Sequence, residues 1–94
     1  MDISEVVFSK QAEKHLRKVP TYVVLKLQAW IDCIIMEGLM EVRKIPGFHD
    51  EPLKGKRSGQ RSIRLSKGYR AFYTMDARGK TFIIEITEVN KHEY

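Results

Sequence analysis

The first part of the chain combines a short apolar run with a helical spacing of apolar residues. Residues 5–8 form the apolar run, which predicts a strand, and Ser9 follows it as a typical helix N-cap. Ala12, Leu16 and Val19 then recur at intervals of three and four residues. This spacing predicts a first helix directly after the strand.

A second helix is predicted after Pro20, a residue that suits a first helical turn. The apolar residues that lie on one stripe of this segment are Val23, Leu27, Trp30, Ile31 and Ile34. Such a stripe is typical of a helix that packs one side against a core. We expect the helix to reach about Met36, because Gly38 is a typical C-terminal stop.

In the C-terminal third of the chain, apolar residues recur at every second position. The predicted segments are a loop at 42–53, strands at 60–65, 69–74 and 81–89, and turns at 66–68 and 76–79. Residues 1–94 are therefore predicted to form one α+β domain of order β-α-α-β-β-β. Two N-terminal helices should pack on one face of a twisted antiparallel sheet. The other face of the sheet would then be available for function.

Length and composition exclude several classes of protein. A chain of 94 residues has no room for a second core, and no apolar run approaches the ~18 residues of a membrane span. The first ten residues lack the features of a signal peptide. The single cysteine, Cys33, excludes an intramolecular disulfide framework, and the histidines show no zinc-ligand spacing. We expect a cytoplasmic protein without a metal or cofactor.

The net charge of +5 comes from one segment of the chain. Residues 53–70 contain seven basic residues and no acidic residue, which leaves ten basic against twelve acidic residues elsewhere. The basic residues of the segment are Lys54, Lys56, Arg57, Arg61, Arg64, Lys67 and Arg70. An unmixed basic run on a pair of strands favours binding to nucleic-acid phosphates. A solubilising face, or a site for an acidic protein, is the alternative interpretation.

The predicted hairpin places two of these arginines together. If the turn lies at 66–68, Arg64 and Arg70 are opposite each other on the face that does not pack on the helices. Like charges in this position repel unless an anion lies between them. One interpretation is an internal network with Glu85, which alternates with inward apolar residues of the last strand. The other is a pair of guanidinium groups that bind a scissile phosphate.

The C-terminal tail adds groups that can transfer protons. Lys91, His92 and Tyr94 lie within four residues of one another. A tail histidine is often only exposed to solvent, but the last strand should deliver this one beside the arginine hairpin. RNA carries its own nucleophile, the 2′-hydroxyl, so a site without a metal could cleave it by acid–base catalysis.

The sequence resembles the RelE/ParE superfamily of bacterial toxins, on the side of RelE, YoeB and HigB, over nearly its whole length. The most specific residues are Leu53 and Gly55, the strand end Ile63-Arg64-Leu65, and Tyr69-Arg70 with Tyr73 three residues later. This resemblance implies a microbial-RNase-like fold and the toxin of a type II toxin–antitoxin system. It implies a metal-independent mRNA endoribonuclease, an mRNA interferase, that acts in the ribosomal A site. The implied partner is an acidic antitoxin that binds a monomeric toxin.

The resemblance also implies roles for individual residues. Arg70 matches the arginine that stabilises transition-state charge, and Arg64 matches a basic residue on the preceding strand. His92 and Tyr94 match tail residues that act in proton transfer or base stacking. The residues expected to contact RNA are Lys54, Lys56, Arg57, Arg61, Lys67 and Lys91. The general base stays open between His92 and a glutamate such as Glu88.

Two other functions share this fold or this charge pattern. A ParE-like protein would bind gyrase and would have no ribonuclease activity. A non-catalytic basic module would bind RNA or an acidic protein without cleaving anything.

Overall fold

A five-stranded sheet forms the frame of the protein in the computed structural model, which describes residues 3–91. The strands are β1 (Ile3–Phe8), β2 (Glu51–Pro52), β3 (Arg61–Arg64), β4 (Tyr69–Arg78) and β5 (Thr81–Lys91). The helices are α1 (Lys10–Leu16), α2 (Thr21–Glu37) and α3 (Leu39–Val42), with short 3-10 turns at Pro46–Phe48 and Gly55–Arg57. The predicted α+β class is confirmed. The short elements α3 and β2 are additions within or next to the predicted loop.

The sheet is mixed, with the strand order β1-β5-β4-β3-β2. The three strands of the C-terminal hairpins are antiparallel as predicted, but β1 runs parallel to β5. Tight turns fix the direction of a strand relative to its neighbour in sequence. No such turn links β1 to β5, because the helices and strands β2 to β4 lie between them in the sequence. The direction of β1 is therefore decided by packing.

Both predicted helices begin close to the expected residues, but α1 ends at Leu16, so Val19 lies between the two helices. The Oγ of Ser9 accepts a hydrogen bond from the backbone N–H of Ala12 at 3.0 Å, which confirms the N-cap of α1. Pro20 is the N-cap of α2 and lies just outside its first turn. The helix ends at Gly38, whose φ of 86° is a conformation that glycine adopts without strain. Within residues 3–91, each helix is too short or too polar to cross a membrane.

The core lies between α2 and one face of the sheet. The five apolar residues of the predicted stripe are all buried. They pack with the buried sheet residues, which are Ile63, Leu65, Ala71, Tyr73, Ile84, Ile86 and Val89. The ring of Trp30 contacts that of Tyr73, with centroids 5.2 Å apart. Alternate residues of β3 and β4 therefore point into the core, and the residues between them form the opposite, outer face of the sheet.

The β4–β5 hairpin is longer than predicted. Asp76, Ala77 and Arg78, expected in a turn, continue the ladder of β4 with β5. Only Gly79 and Lys80 remain between the strands, and Gly79 has a φ of 62°. A two-residue hairpin turn needs such positive φ values to match the twist of its strands. The hairpin therefore closes at glycine, after the polar residues that had indicated a turn.

Candidate active site on the outer face of the sheet

Arg64 and Arg70 lie directly opposite each other on β3 and β4, as the predicted turn required. The neighbouring cross-strand pair, Ile63 and Ala71, is buried against the helices, with 0% and 1% exposure. Side chains alternate between the two faces of a sheet, so both arginines belong to the outer face. The structure therefore brings together the two guanidinium groups on which the predicted phosphate site depends.

A glutamate from the edge strand pairs with Arg70. The Nη1 of Arg70 donates to Oε1 of Glu51 at 3.1 Å and to Oγ of Ser62 at 3.2 Å. Glu51 lies opposite Ser62 in the β2–β3 ladder, and the small serine leaves room for the guanidinium above it. The proposed network through Glu85 is wrong, because Glu85 is exposed and lies opposite Thr74, further along β4.

A β-bulge in β5 brings a second glutamate to this face. Phe72 pairs with Glu88, but the next residue, Tyr73, pairs with Ile86, so Thr87 is an extra residue in β5. The carbonyl of Thr87 accepts a hydrogen bond from the Oγ of Ser9 at 2.9 Å, so the carbonyl of the extra residue has a partner. Strict alternation would have pointed Glu88 into the core with Ile86. The bulge places it outside.

Glu88 forms a bidentate salt bridge with Arg57. The Nη1 and Nη2 of Arg57 donate to the two carboxylate oxygens of Glu88 at 2.7 and 3.3 Å, and Nδ2 of Asn90 donates to Oε1 at 2.8 Å. The guanidinium of Arg57 also stacks on Phe72, 4.4 Å from its ring centroid. The hydrogen bonds from Arg57 lower the pKa of Glu88, despite the opposing effect of partial burial.

Arg61, which we expected to contact RNA, lies on the helix side of the sheet, where it pairs with a buried acid. It shares that face with its cross-strand partner Tyr73. Its Nε donates to Asp50 at 2.6 Å, and the hydroxyl of Tyr73 donates to the other oxygen of Asp50 at 2.6 Å. The Asp50 side chain is 0% exposed, and burial together with this hydrogen bond raises the pKa of Tyr73. Arg61 therefore anchors the segment that carries Glu51 and does not join the outer face.

Solved structures of bacterial toxins share this architecture. YafQ from E. coli strain BL21(DE3) superposes with a TM-score of 0.72 at 15% identity, over 95% of this chain and 93% of that chain. The E. coli DinJ–YafQ toxin–antitoxin complex gives 0.70 at 18% identity, over 95% and 92%. The YoeB–YefM complex from Staphylococcus aureus gives 0.65 at 26% identity, over 96% and 97%. No protein-family model and no curated protein matches the sequence.

The chain has the fold of the RelE/YoeB-type toxins. The resemblance indicated by the sequence is confirmed at this level, and it extends over nearly the whole chain. Because one fold supports unrelated activities, the activity of this RelE/YoeB-like domain must follow from its side chains.

The other lysines expected to contact RNA lie in the loop before β3, in the β3–β4 turn and at the end of β5. Lys54, Lys56, Lys67 and Lys91 are exposed, and within residues 3–91 neither they nor Arg64 form a salt bridge. Lys54 and Lys56 flank the start of the Gly55–Arg57 turn. Lys91 lies opposite Tyr69, which packs against the core, so its register is that of the helix side of the sheet and not of the outer face. The predicted tail residues His92 and Tyr94 lie outside the described residues. No group of three or more potential metal-ligating side chains occurs in the described part of the chain.

Sequence reasoning missed Glu51 and Asp50. Both precede the basic segment and fall within the predicted loop. A signal was present, because two adjacent acids just before an unmixed basic run are natural ion-pair partners for it. Glu51 begins β2 on the outer face, and Asp50, just before β2, turns to the helix side, where it contacts Arg61 and Tyr73. At two residues, β2 is too short to be recognised as a strand from the sequence.

Proposed function

We propose that the protein is the toxin of a toxin–antitoxin pair and that it cleaves messenger RNA with the outer face of its sheet. The fold that it shares with YafQ and YoeB supports the first part. The solved structures with this fold include the DinJ–YafQ toxin–antitoxin complex and the YoeB–YefM complex. One observation carries the second part. An exposed carboxylate, Glu51, contacts Arg70, and Arg64 lies directly opposite Arg70 on the same face.

These groups match the needs of RNA cleavage by its own 2′-hydroxyl. In the proposed mechanism Glu51 accepts the proton of the 2′-hydroxyl as its oxygen attacks the adjacent phosphorus. Arg70 and Arg64 stabilise the negative charge of the phosphorane that forms. The bond to the 5′-oxygen then breaks, and His92 or Tyr94 donates a proton to that oxygen. The products are a 2′,3′-cyclic phosphate and a 5′-hydroxyl.

Glu51 is a better general base than Glu88. The side chain of Glu51 is 57% exposed, and only Oε1 has a hydrogen-bond partner in the described residues. Glu88 is 18% exposed, both of its oxygens accept hydrogen bonds from Arg57, and its pKa is lowered. A carboxylate whose proton affinity is reduced and whose oxygens are occupied accepts a proton poorly. We therefore propose Glu51 in place of the candidates that the sequence left open.

The surrounding cations would bind the RNA backbone. Lys54, Lys56, Lys67 and Lys91 are exposed and form no salt bridge within residues 3–91, so they would contact phosphates at the edges of the sheet. Arg57 on Phe72 offers a planar surface for a base. Each phosphate contact releases counterions, so binding should weaken steeply with salt. The ribosomal A site, where mRNA lies against ribosomal RNA, is the proposed place of cleavage. An acidic antitoxin segment that covers the same face would block it.

Replacement of Arg70 tests the proposal. In bacteria that lack the antitoxin, brief induction of the native protein should arrest growth and produce new 5′ ends within transcripts, which primer extension maps. Arg70→Ala should reduce the cleavage rate by about 10²–10³-fold, the usual effect of losing one charge-stabilising donor. Lys80→Ala, an exposed lysine in the β4–β5 turn, is the matched control.

Two outcomes would contradict this function. Normal cleavage by folded Arg70→Ala would exclude the outer face as the active site. Growth arrest with intact transcripts and a DNA-damage response would instead favour the ParE-like interpretation, in which the protein binds gyrase.

A further inference from the structure

A second basic feature lies at the end of the β3–β4 hairpin, beyond the Glu51–Arg70 pair. It is an open pocket of about 380 Å³ between α2, the 3-10 turn at Pro46–Phe48 and the β3–β4 hairpin. The residues that line it are Lys26, Gly47, Arg64, Leu65, Ser66 and Lys67. A pocket of this size, open to solvent, is large enough for a phosphate group and part of a sugar.

The charges around this pocket have one sign. Lys26 comes from α2, whereas Arg64 and Lys67 come from the hairpin, and none of its lining residues is acidic. Within residues 3–91, none of the three cations forms a salt bridge. Like charges gathered at one concave site repel one another, and the repulsion is relieved when an anion binds between them.

The ammonium group of Lys26 has a defined position. Its Nζ lies over the ring of Phe48, 4.8 Å from the centroid, and Phe48 is only 6% exposed. A cation–π contact with a buried ring restricts the long lysine side chain without neutralising its charge. Lys26 therefore presents a full positive charge from the helix side of the sheet.

We infer that this pocket binds a phosphate of the RNA that flanks the cleaved bond. The inference rests on the proposed function, because Arg64 belongs both to the pocket and to the outer face. An RNA strand held at Arg70 would pass Arg64, cross the end of the hairpin and reach Lys26 on the opposite side. The substrate would then need nucleotides beyond the reacting pair, and a residue of α2 would contribute to binding without taking part in the chemistry.

Binding of uncleavable RNA tests this subsite separately from cleavage. The probes are 2′-O-methyl oligoribonucleotides of about four and about ten nucleotides, within the usual range of single-strand sites. Their blocked 2′-oxygen cannot attack phosphorus. Fluorescence anisotropy with the full-length protein gives affinity and its salt dependence. The variants are Lys26→Ala, the charge-retaining Lys26→Arg, and Lys80→Ala in the β4–β5 turn. Lys80 is also exposed, and the length of β4, at about 3.3 Å per residue, separates it from the pocket.

Lys26→Ala should weaken binding of the longer probe and reduce the slope of log affinity against log salt by about 1, the loss of one phosphate contact. The shorter probe should bind as before, and Lys26→Arg should behave like the native protein. The inference is overturned if Lys26→Ala matches Lys80→Ala, or if it affects both probe lengths equally. If Lys26→Ala weakens binding as expected but induction of the native protein leaves cellular transcripts intact, the proposed cleavage is overturned and the subsite is retained.

Discussion

Two Arg–Glu pairs lie on the same face of this sheet and differ in how many of their carboxylate oxygens accept hydrogen bonds. In the Arg57–Glu88 pair, both carboxylate oxygens accept hydrogen bonds, and Asn90 adds another. In the Glu51–Arg70 pair, one carboxylate oxygen contacts the guanidinium at 3.1 Å and the side chain of Glu51 is 57% exposed. The first pair is satisfied within the protein, whereas the second has unused hydrogen-bonding capacity.

This difference separates a structural role from a catalytic one. A carboxylate with both oxygens occupied, and with a lowered pKa, is suited to hold its arginine against Phe72. A carboxylate with a free oxygen can accept a proton from a substrate, and its arginine can turn to a phosphate. The identity of the residues is the same in both pairs, so accessibility decides the role.

The largest expected effect comes from replacement of Asp50, the buried acid that precedes Glu51 of the Glu51–Arg70 pair. Asp50→Ala should lower the free energy of unfolding by about 3 kcal/mol, because it leaves Arg61 without its acidic partner and the hydroxyl of Tyr73 without its acceptor. It should also reduce cleavage, since Asp50 anchors the strand that carries Glu51. Urea unfolding measures the first effect. Glu41→Ala, which removes an exposed pair with Lys44, is the control and should change stability by less than about 1 kcal/mol. A similar result for both variants would show that the Asp50 cluster is not an anchor.

Conversion of each glutamate to glutamine tests the comparison directly. Glu51→Gln should reduce the cleavage rate at saturating RNA by about 10²-fold or more, as expected for loss of a general base. Glu88→Gln keeps a hydrogen-bonding side chain and should stay close to the native rate. Single-turnover cleavage of a defined transcript on ribosomes measures both. Equal losses in the two variants would mean that exposure does not distinguish the pairs.

Arg57 should affect RNA binding and leave the chemical step unchanged. Arg57→Ala should reduce the salt slope of RNA binding by about 1 and weaken binding, because a positive planar group over Phe72 is lost. Arg57→Lys should restore the salt slope but not the full affinity, since lysine lacks the planar group. Affinity and kcat are measured separately. A fall in kcat as large as that of Glu51→Gln would place Arg57 in the chemistry.

The smallest effect is an acid-dependent change in stability. Because the folded protein lowers the pKa of Glu88 from its ordinary value of 4.5, the pair stabilises the fold above that pH. This contribution is lost as the pH falls through the lowered pKa. It should be at most about 1 kcal/mol, since the Arg57 side chain is 42% exposed. The unfolding free energies of native protein and Glu88→Gln should therefore differ above pH 4.5 and converge in acid. A constant difference would exclude the pair as its cause.

The sequence predicted the arginine half of this site and missed the acid half. Arg64 and Arg70 flank a short turn, so local register alone places them opposite each other. Glu51 reaches Arg70 from nineteen residues away, through a two-residue edge strand that has no pattern of its own. Glu88 reaches the outer face only because of the bulge at Thr87, which a strict period of two excludes.

The sequence by itself determined the α+β class, the buried stripe of α2, the cross-strand arginines and the concentration of positive charge in one segment. All of these depend on neighbours within a few turns or one hairpin, where periodicity and turn chemistry act directly. Tertiary structure decided the parallel direction of β1 and the burial of Asp50 with Arg61. It also decided that Glu51, and not Glu88, keeps a carboxylate oxygen exposed beside an arginine. These depend on contacts between distant segments, whose geometry is selected by packing of the whole core.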